Sequence, residues 1–284
     1  MHTSIPTLDL ANTSRADAVW IFGSSLELFG FVTVVNHGVD TALLTRAYEV
    51  AKRTFALPVE TKRKYETPDN GRDTGYTSFG IEHAKDDLRV DLKEFWHVRR
   101  HVSAERLMFP NEIADFEEVT MSLFDALDGA AARLLDLLDV YLGTPQGRFA
   151  GMVKNGNTLL RMLYYPKIIG FPDGMRSAPH EDINFITLLV AATASGLEVK
   201  TRDGQWIAVD NPPNAIIVNS GDMLKAYTAG RIPSTTHRVV NGNGGERYSI
   251  PFFVHPRSEV QLTPALTAGQ YLHQRLVEIG LIKA

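Results

Sequence analysis

The sequence predicts a mainly β protein with flanking helices: a jelly-roll core preceded by an α/β region. Three observations carry this. From about residue 155 to residue 262 short apolar runs alternate with turn signals, the rhythm of a sandwich or jelly roll. Two helix-period patterns with a strand between them open the chain. One long helix pattern, 112–142, divides the opening from the β-rich part.

Taken in order, RADAVWIFGSSLELFG (15–30) and residues 40–56 are expected helices, the second with Leu43, Leu44, Tyr48, Val50 and Ala51 on an apolar face. FVTVVN lies between them as a strand. Residues 57–110 mix proline, glycine and charge and are expected to be loop-rich, with Lys62-Arg63-Lys64 on a solvated face. The spacing of Leu123, Leu127, Leu134, Leu135, Leu138 and Tyr141 predicts the helix over 112–142, stopped by Gly143 and Pro145. After the strand-rich part, residues 264–280 are an expected terminal helix. The expected organisation is one structural unit in four parts: an α/β region (1–110), the long helix (111–150), the jelly roll (151–262) and the C-terminal helix (263–284).

Composition narrows the function classes. The 284 residues, 44% of them hydrophobic, suffice for one large core. No apolar run approaches the ~20 residues that span a bilayer. No basic-then-apolar leader opens the chain. With no cysteine there are no disulfides, no thiol catalysis and no thiolate-bound metal. A cytoplasmic protein is expected. The net charge of −4 and the absence of a basic stretch argue against a nucleic-acid partner. Oligomeric state is not legible.

The candidate chemistry lies in SAPHEDINFITLLV (177–190) and VNSGDMLKAYTAGRIPSTTHRVV (218–240). His180, Asp182 and His237 offer two imidazoles and one carboxylate, the facial set that holds Fe(II) and leaves neighbouring positions open. On an extended strand His180 and Asp182 would project to one side. H-x-[DE] alone is weak: 9 His and 33 acidic residues produce it about once by chance. The strand-like surroundings carry more weight. Downstream, Arg247 and Ser249 share a strand face and offer a guanidinium fork and a hydroxyl to a carboxylate. In Asn36-His37-Gly38 the histidine is expected to end a strand and cap a turn, away from any metal.

These residues stand among ordered matches along nearly the whole chain: IPTLDL, GFVTVVNHGVD, RMLYYP, HEDINFITLL, GLEV, DGQW and VNSGDML. In this the chain resembles the Fe(II)/2-oxoglutarate-dependent dioxygenases of the isopenicillin N synthase-like branch. The resemblance implies a double-stranded β-helix, cupin-like core and iron held by His180, Asp182 and His237. It implies 2-oxoglutarate as cosubstrate, its distal carboxylate on Arg247 and Ser249. Tyr165 falls where plant members carry a cosubstrate-binding tyrosine, although Leu163 replaces their asparagine and Lys167 their second proline. A core role for Tyr165 stays equally open.

The implied reaction consumes O₂ and 2-oxoglutarate, releases succinate and CO₂, and oxidises a C–H bond of a small organic substrate, with hydroxylation as the default. Tyr76, Phe79, Phe95, Trp96 and Phe253 are candidate substrate contacts, against the alternative that the aromatics of 91–98 pack into the core. Two other functions stay open: an Fe(II) oxidase on the same scaffold without 2-oxoglutarate, and a non-catalytic cupin-like metal-binding protein.

Overall fold

A computed structural model describes residues 4–82, 89–100, 108–170, 174–242 and 244–279. Parts of the expected loop-rich segment 57–110 and the last residue of the expected helix 264–280 lie outside them. The chain opens with β1 (Thr7–Asp9), α1 (Arg15–Phe29), β2 (Phe31–Val35), α2 (Thr41–Phe55) and the short α3 (Val59–Arg63). Ser14 caps α1, its hydroxyl accepting from the Asp17 N–H. Gly30 ends it with φ +68, a left-handed turn that brings β2 back along the sheet. Asp40 caps α2. Then come β3 (Gly75–Thr77), β4 (Glu94–Arg99), α4 (Phe116–Leu142) and α5 (Arg148–Val153). The long helix starts four residues later than the periodicity suggested and ends where expected, at a left-handed Gly143.

The remaining strands are β5 (Leu159–Tyr165), β6 (Ser177–His180), β7 (Ile186–Val190), β8 (Leu197–Lys200), β9 (Trp206–Ala208) and β10 (Ile216–Ser220). After α6 (Asp222–Tyr227) follow β11 (His237–Val239), β12 (Arg247–Val254), β13 (Gln261–Thr263), β14 (Leu266–Thr267) and α7 (Ala268–Glu278). Eight strands form the major sheet in the order β1-β2-β10-β7-β12-β5-β4-β3, and four form the minor sheet, β6-β11-β8-β9. Apart from the parallel β1–β2 pair, these pairings are antiparallel. Two sheets enclosing one site make the jelly roll. Half of the major sheet's strands, β1 to β4, come from the first 110 residues, so the opening segment completes the barrel wall.

One face of the major sheet is covered by α1, α2 and α4. Phe22 and Leu26, Leu44 and Val50, and Leu123, Leu127 and Leu134 join Val34, Leu188, Ile250 and Phe252 in the principal core. Burying one such side chain contributes roughly 1.5–3 kcal/mol, which is why these short strands persist. The other face of the sheet looks into the barrel.

The expectation for Lys62-Arg63-Lys64 holds for the exposed Arg63 and Lys64 and is corrected for Lys62. Lys62 is buried, and its Nζ lies 2.8 Å from both Glu94 oxygens and 3.0 Å from the Phe55 carbonyl. The Tyr76 hydroxyl donates a short bond to the same carboxylate. A charge count along the sequence gives no sign of this, because the partner sits on β4. Removing either member would strand a buried charge, at a cost of about 3–5 kcal/mol.

Candidate active site

The pleat assigns the site residues. Along β12, Arg247, Ser249, Pro251 and Phe253 alternate onto the inner face, and along β5 so do Arg161, Leu163 and Tyr165. Facing them from the minor sheet are His180 at the end of β6 and His237 at the start of β11, direct partners in the antiparallel pairing. Together they line an inner recess of ≈ 70 Å³. It opens into a cavity of ≈ 720 Å³ with Lys93, His97, Arg161, Phe253 and His255 among its walls.

His180, Asp182 and His237 converge there, one ligand atom of each lying within 4.8 Å of the others. Asp182 Oδ1 is 3.9 Å from His180 Nε2 and 3.8 Å from His237 Nε2. The other imidazole nitrogens are committed: His180 Nδ1 lies 2.8 Å from the Ala178 carbonyl and His237 Nδ1 3.1 Å from that of Thr235. A carbonyl can only accept, so Nδ1 carries the hydrogen and Nε2 presents its lone pair to the centre. Asp182 Oδ2 accepts from Thr187 Oγ1 at 2.6 Å and Asn219 Nδ2 at 2.7 Å, which leaves Oδ1 for the centre.

Protonation states suit a metal. Burial and the neighbouring His237 hold His180 down to about 4. Burial opposes ionisation of Asp182, but the two histidines and its two hydrogen bonds outweigh it and keep the carboxyl below its usual range. Two imidazoles and one carboxylate, donors of the kinds Fe(II) accepts and each held from behind, fit a metal ion.

One local expectation is corrected. His180 and Asp182 do not share a strand face, because β6 ends at His180 and Asp182 lies in the turn beyond. Backbone bonds set that turn: the Asp222 N–H donates to the Asp182 carbonyl at 2.7 Å and the Gly221 N–H to that of Phe185 at 3.0 Å. Gly221 is required by close approach, since a Cβ there would lie 2.4 Å from the Asn184 carbonyl oxygen and 2.8 Å from that of Asp182.

Arg247 is buried at the back of the recess, 5.1 Å from the centre of the Tyr165 ring. Its Nε donates to the Ala194 carbonyl at 3.1 Å, while Nη1 is buried with no hydrogen-bond partner among the described residues. A buried guanidinium nitrogen still free to donate, beside a metal-type site, is suited to pairing with a carboxylate. Ser249 and Tyr165 line the same recess.

The substrate candidates separate. Phe253 lines both recess and cavity. Phe95 is buried with Leu163 and Tyr165 on the barrel side, under the Arg161 guanidinium. Tyr76 and Trp96 sit across the pleat, in the core beneath the helices, with Trp96 5.4 Å from Phe116. Phe79 is exposed and lines neither space. Adjacent strand residues face opposite ways, so Phe95 and Trp96 could not both reach the site. His37 stays away from the metal-type centre, its Nε2 2.7 Å from the Asn214 carbonyl.

Sequence reasoning missed a polar cluster at the cavity wall. Lys93 Nζ is 2.6 Å from Glu82 and 2.7 Å from Asp91. Arg161 holds Glu82 through both terminal nitrogens at 3.2 Å, and its Nε donates to His97 Nε2 at 2.6 Å. Burial and then the Arg161 charge keep His97 well below its usual pKa, a neutral acceptor. Arg161 was legible in principle, two and four residues before Leu163 and Tyr165 on one strand face. Glu82 and Lys93 give no such signal.

Comparison with known proteins agrees with this geometry. Residues 156–256 match the family model of the 2OG-Fe(II) oxygenase superfamily, and residues 5–115 that of the non-haem dioxygenase in morphine synthesis N-terminal region. Flavanone 3-dioxygenase 2 of Oryza sativa is 31% identical over 92% of this chain and 76% of its own length. The crystal structure of a 2OG-Fe(II) oxygenase family protein from Caulobacter crescentus superposes with a TM-score of 0.87 at 36% identity, covering 98% of this chain and all of that one. Neurospora crassa T7H in complex with alpha-KG and thymine gives 0.86 at 25%, over 96% of each chain. The chain belongs to the 2OG-Fe(II) oxygenase superfamily, oxidoreductases that use Fe(II) and 2-oxoglutarate.

Proposed function

We propose that His180, Asp182 and His237 hold the Fe(II), that Arg247 with Ser249 and Tyr165 takes the distal carboxylate of 2-oxoglutarate, and that a small polar organic molecule is oxidised in the cavity beside Phe253. The observation that carries this is the convergence of Nε2, Nε2 and Oδ1 at the mouth of a recess whose far end holds Arg247, its buried Nη1 without a partner among the described residues. Bound there, Fe(II), 2-oxoglutarate and O₂ supply an oxidative decarboxylation to succinate and CO₂ that drives attack on a C–H bond.

The chain contributes position and environment. Asn219 and Thr187 fix the rotamer of Asp182, and the Ala178 and Thr235 carbonyls fix the two imidazoles. The fork of Arg247 orients the cosubstrate from its far end. Leu163, Leu189 and Phe31 keep the recess apolar, which strengthens the charge-assisted contacts inside it. A cavity of ≈ 720 Å³ is in the range for small-molecule sites. Arg161, Lys93, Glu82 and His97 offer donors and acceptors, while Phe253 offers a flat apolar surface. That mixture suits a compact molecule carrying hydrogen-bonding groups, and the Neurospora relative, in complex with alpha-KG and thymine, supports a partner of that size.

The test is a metabolite library scored by succinate released in step with an oxidised product. Coupled turnover of small polar molecules is expected. Coupled turnover only with intact protein or nucleic acid would contradict the proposal.

A further inference from the structure

A second buried guanidinium lies behind the recess, against the ring of Tyr165 that lines it. Arg176, the residue before β6, is 1% exposed and lies 6.0 Å from the centre of the same Tyr165 ring that Arg247 approaches at 5.1 Å. Its backbone N–H donates to Asn241 Oδ1 at 3.1 Å, and its Nη2 donates a short bond to the Gly245 carbonyl, two residues before Arg247. Its Nε is buried with no partner among the described residues, as is Arg247 Nη1. Among the described residues neither guanidinium has a carboxylate within ion-pair distance. Burial and then the charge of Arg247 hold Arg176 below the usual arginine range, as expected of two like charges in one weakly solvated region.

Among the described residues the other buried cations are neutralised: Lys62 by Glu94, Lys93 by Glu82 and Asp91, and the partly buried Arg161 by Glu82. Arg176 and Arg247 are the exception. Two buried positive charges without an anion are costly unless a ligand brings one.

We propose that Arg176 is a second cationic group of the cosubstrate pocket, acting with Arg247 on the distal carboxylate of 2-oxoglutarate and making the recess select dianionic 2-oxo acids over monoanionic ones. The inference rests on the cosubstrate assignment under Proposed function. Arg247 supplies the direct fork. Arg176 holds the Gly245 carbonyl, and with it the start of β12, while adding field from the other side chain on Tyr165. At an effective dielectric near 20 a charge about 12 Å from a carboxylate is worth about a tenfold change in affinity, and a nearer charge more.

The experiment measures binding by calorimetry, without oxygen, to metal-loaded protein. The probes are 2-oxoglutarate and 2-oxopentanoate, which keeps the 2-oxo acid head and replaces the distal carboxylate with a methyl. Arg176→Gln is expected to weaken 2-oxoglutarate about tenfold and to leave 2-oxopentanoate within about twofold. Arg176→Lys keeps the charge and is expected to hold the preference for the dianion within about threefold of wild type. Unchanged binding of both acids in Arg176→Gln, or an equal loss of both, would overturn the inference, as would loss of the preference in Arg176→Lys. Wild-type protein that binds both acids equally would instead overturn the cosubstrate assignment beneath it.

Discussion

His180 and His237 are cross-strand partners on β6 and β11, their ring centroids 4.4 Å apart and each Nδ1 held by the carbonyl two residues before it. The sheet brings the two imidazoles together. The carboxylate needs separate support, because Asp182 lies in a turn and depends on Thr187 and Asn219. Asn219→Ala is therefore expected to lower Fe(II) affinity by roughly 10- to 100-fold, the usual cost of losing a group that orients a ligand. Metal titration of the folded variant measures this, and unchanged affinity would remove Asn219 from the metal site.

Arg247→Lys keeps the charge but loses the planar fork. A charge-assisted hydrogen bond is worth about 1.5–3 kcal/mol, so the KM for 2-oxoglutarate should rise roughly 10- to 100-fold. Steady-state kinetics at saturating iron read this directly. An unchanged KM would place the distal carboxylate elsewhere.

Trp96 and Phe253 are both aromatic and both on the major sheet, yet they should respond in opposite ways. Trp96→Phe removes volume from the core under the helices and should lower Tm while leaving substrate KM nearly unchanged. Phe253→Ala opens the cavity wall and should raise substrate KM well before it lowers Tm. A large KM effect from Trp96→Phe would contradict the division made by the pleat.

Stability of the metal-free protein should fall as pH falls from 6.5 toward 4. Burial holds His255 down to about 4, against about 6.5 in the unfolded chain. Above 6.5 neither state binds this proton. Below it the unfolded chain takes up a proton that the folded chain refuses, so unfolding becomes easier, by about 3 kcal/mol for this group at pH 4. His180 and His97 are shifted the same way and add to the slope. Denaturant titrations across this range should show a shallower dependence in His255→Asn by about one proton, and an identical slope would refute the assignment.

Local pattern and motif spacing made much of this legible. The long helix and its stop at Gly143 follow from leucine periodicity, although it starts at Phe116 and not at 112. Alternation on β12 was enough to put Arg247 and Ser249 on one face. What stayed hidden depends on pairing between distant strands. The burial of Lys62 needs Glu94 of β4, and the polar wall needs Glu82 and Lys93 near Arg161 of β5. The placement of Asp182 in a turn depends on the space left by Gly221, on another part of the chain. Trp96 is a different case, since strict alternation after Phe95 would have put it in the core from sequence alone.

The most direct test of the account is an anaerobic titration with Fe(II) and then 2-oxoglutarate, followed by the visible charge-transfer absorption that appears when a 2-oxo acid chelates Fe(II). Wild-type protein should develop the band with one iron and one 2-oxoglutarate per chain. Asp182→Ala, folded by circular dichroism, should not develop it at the same concentrations. A band of full intensity in Asp182→Ala, or none in wild type, would contradict the assignment of His180, Asp182 and His237 as the iron site.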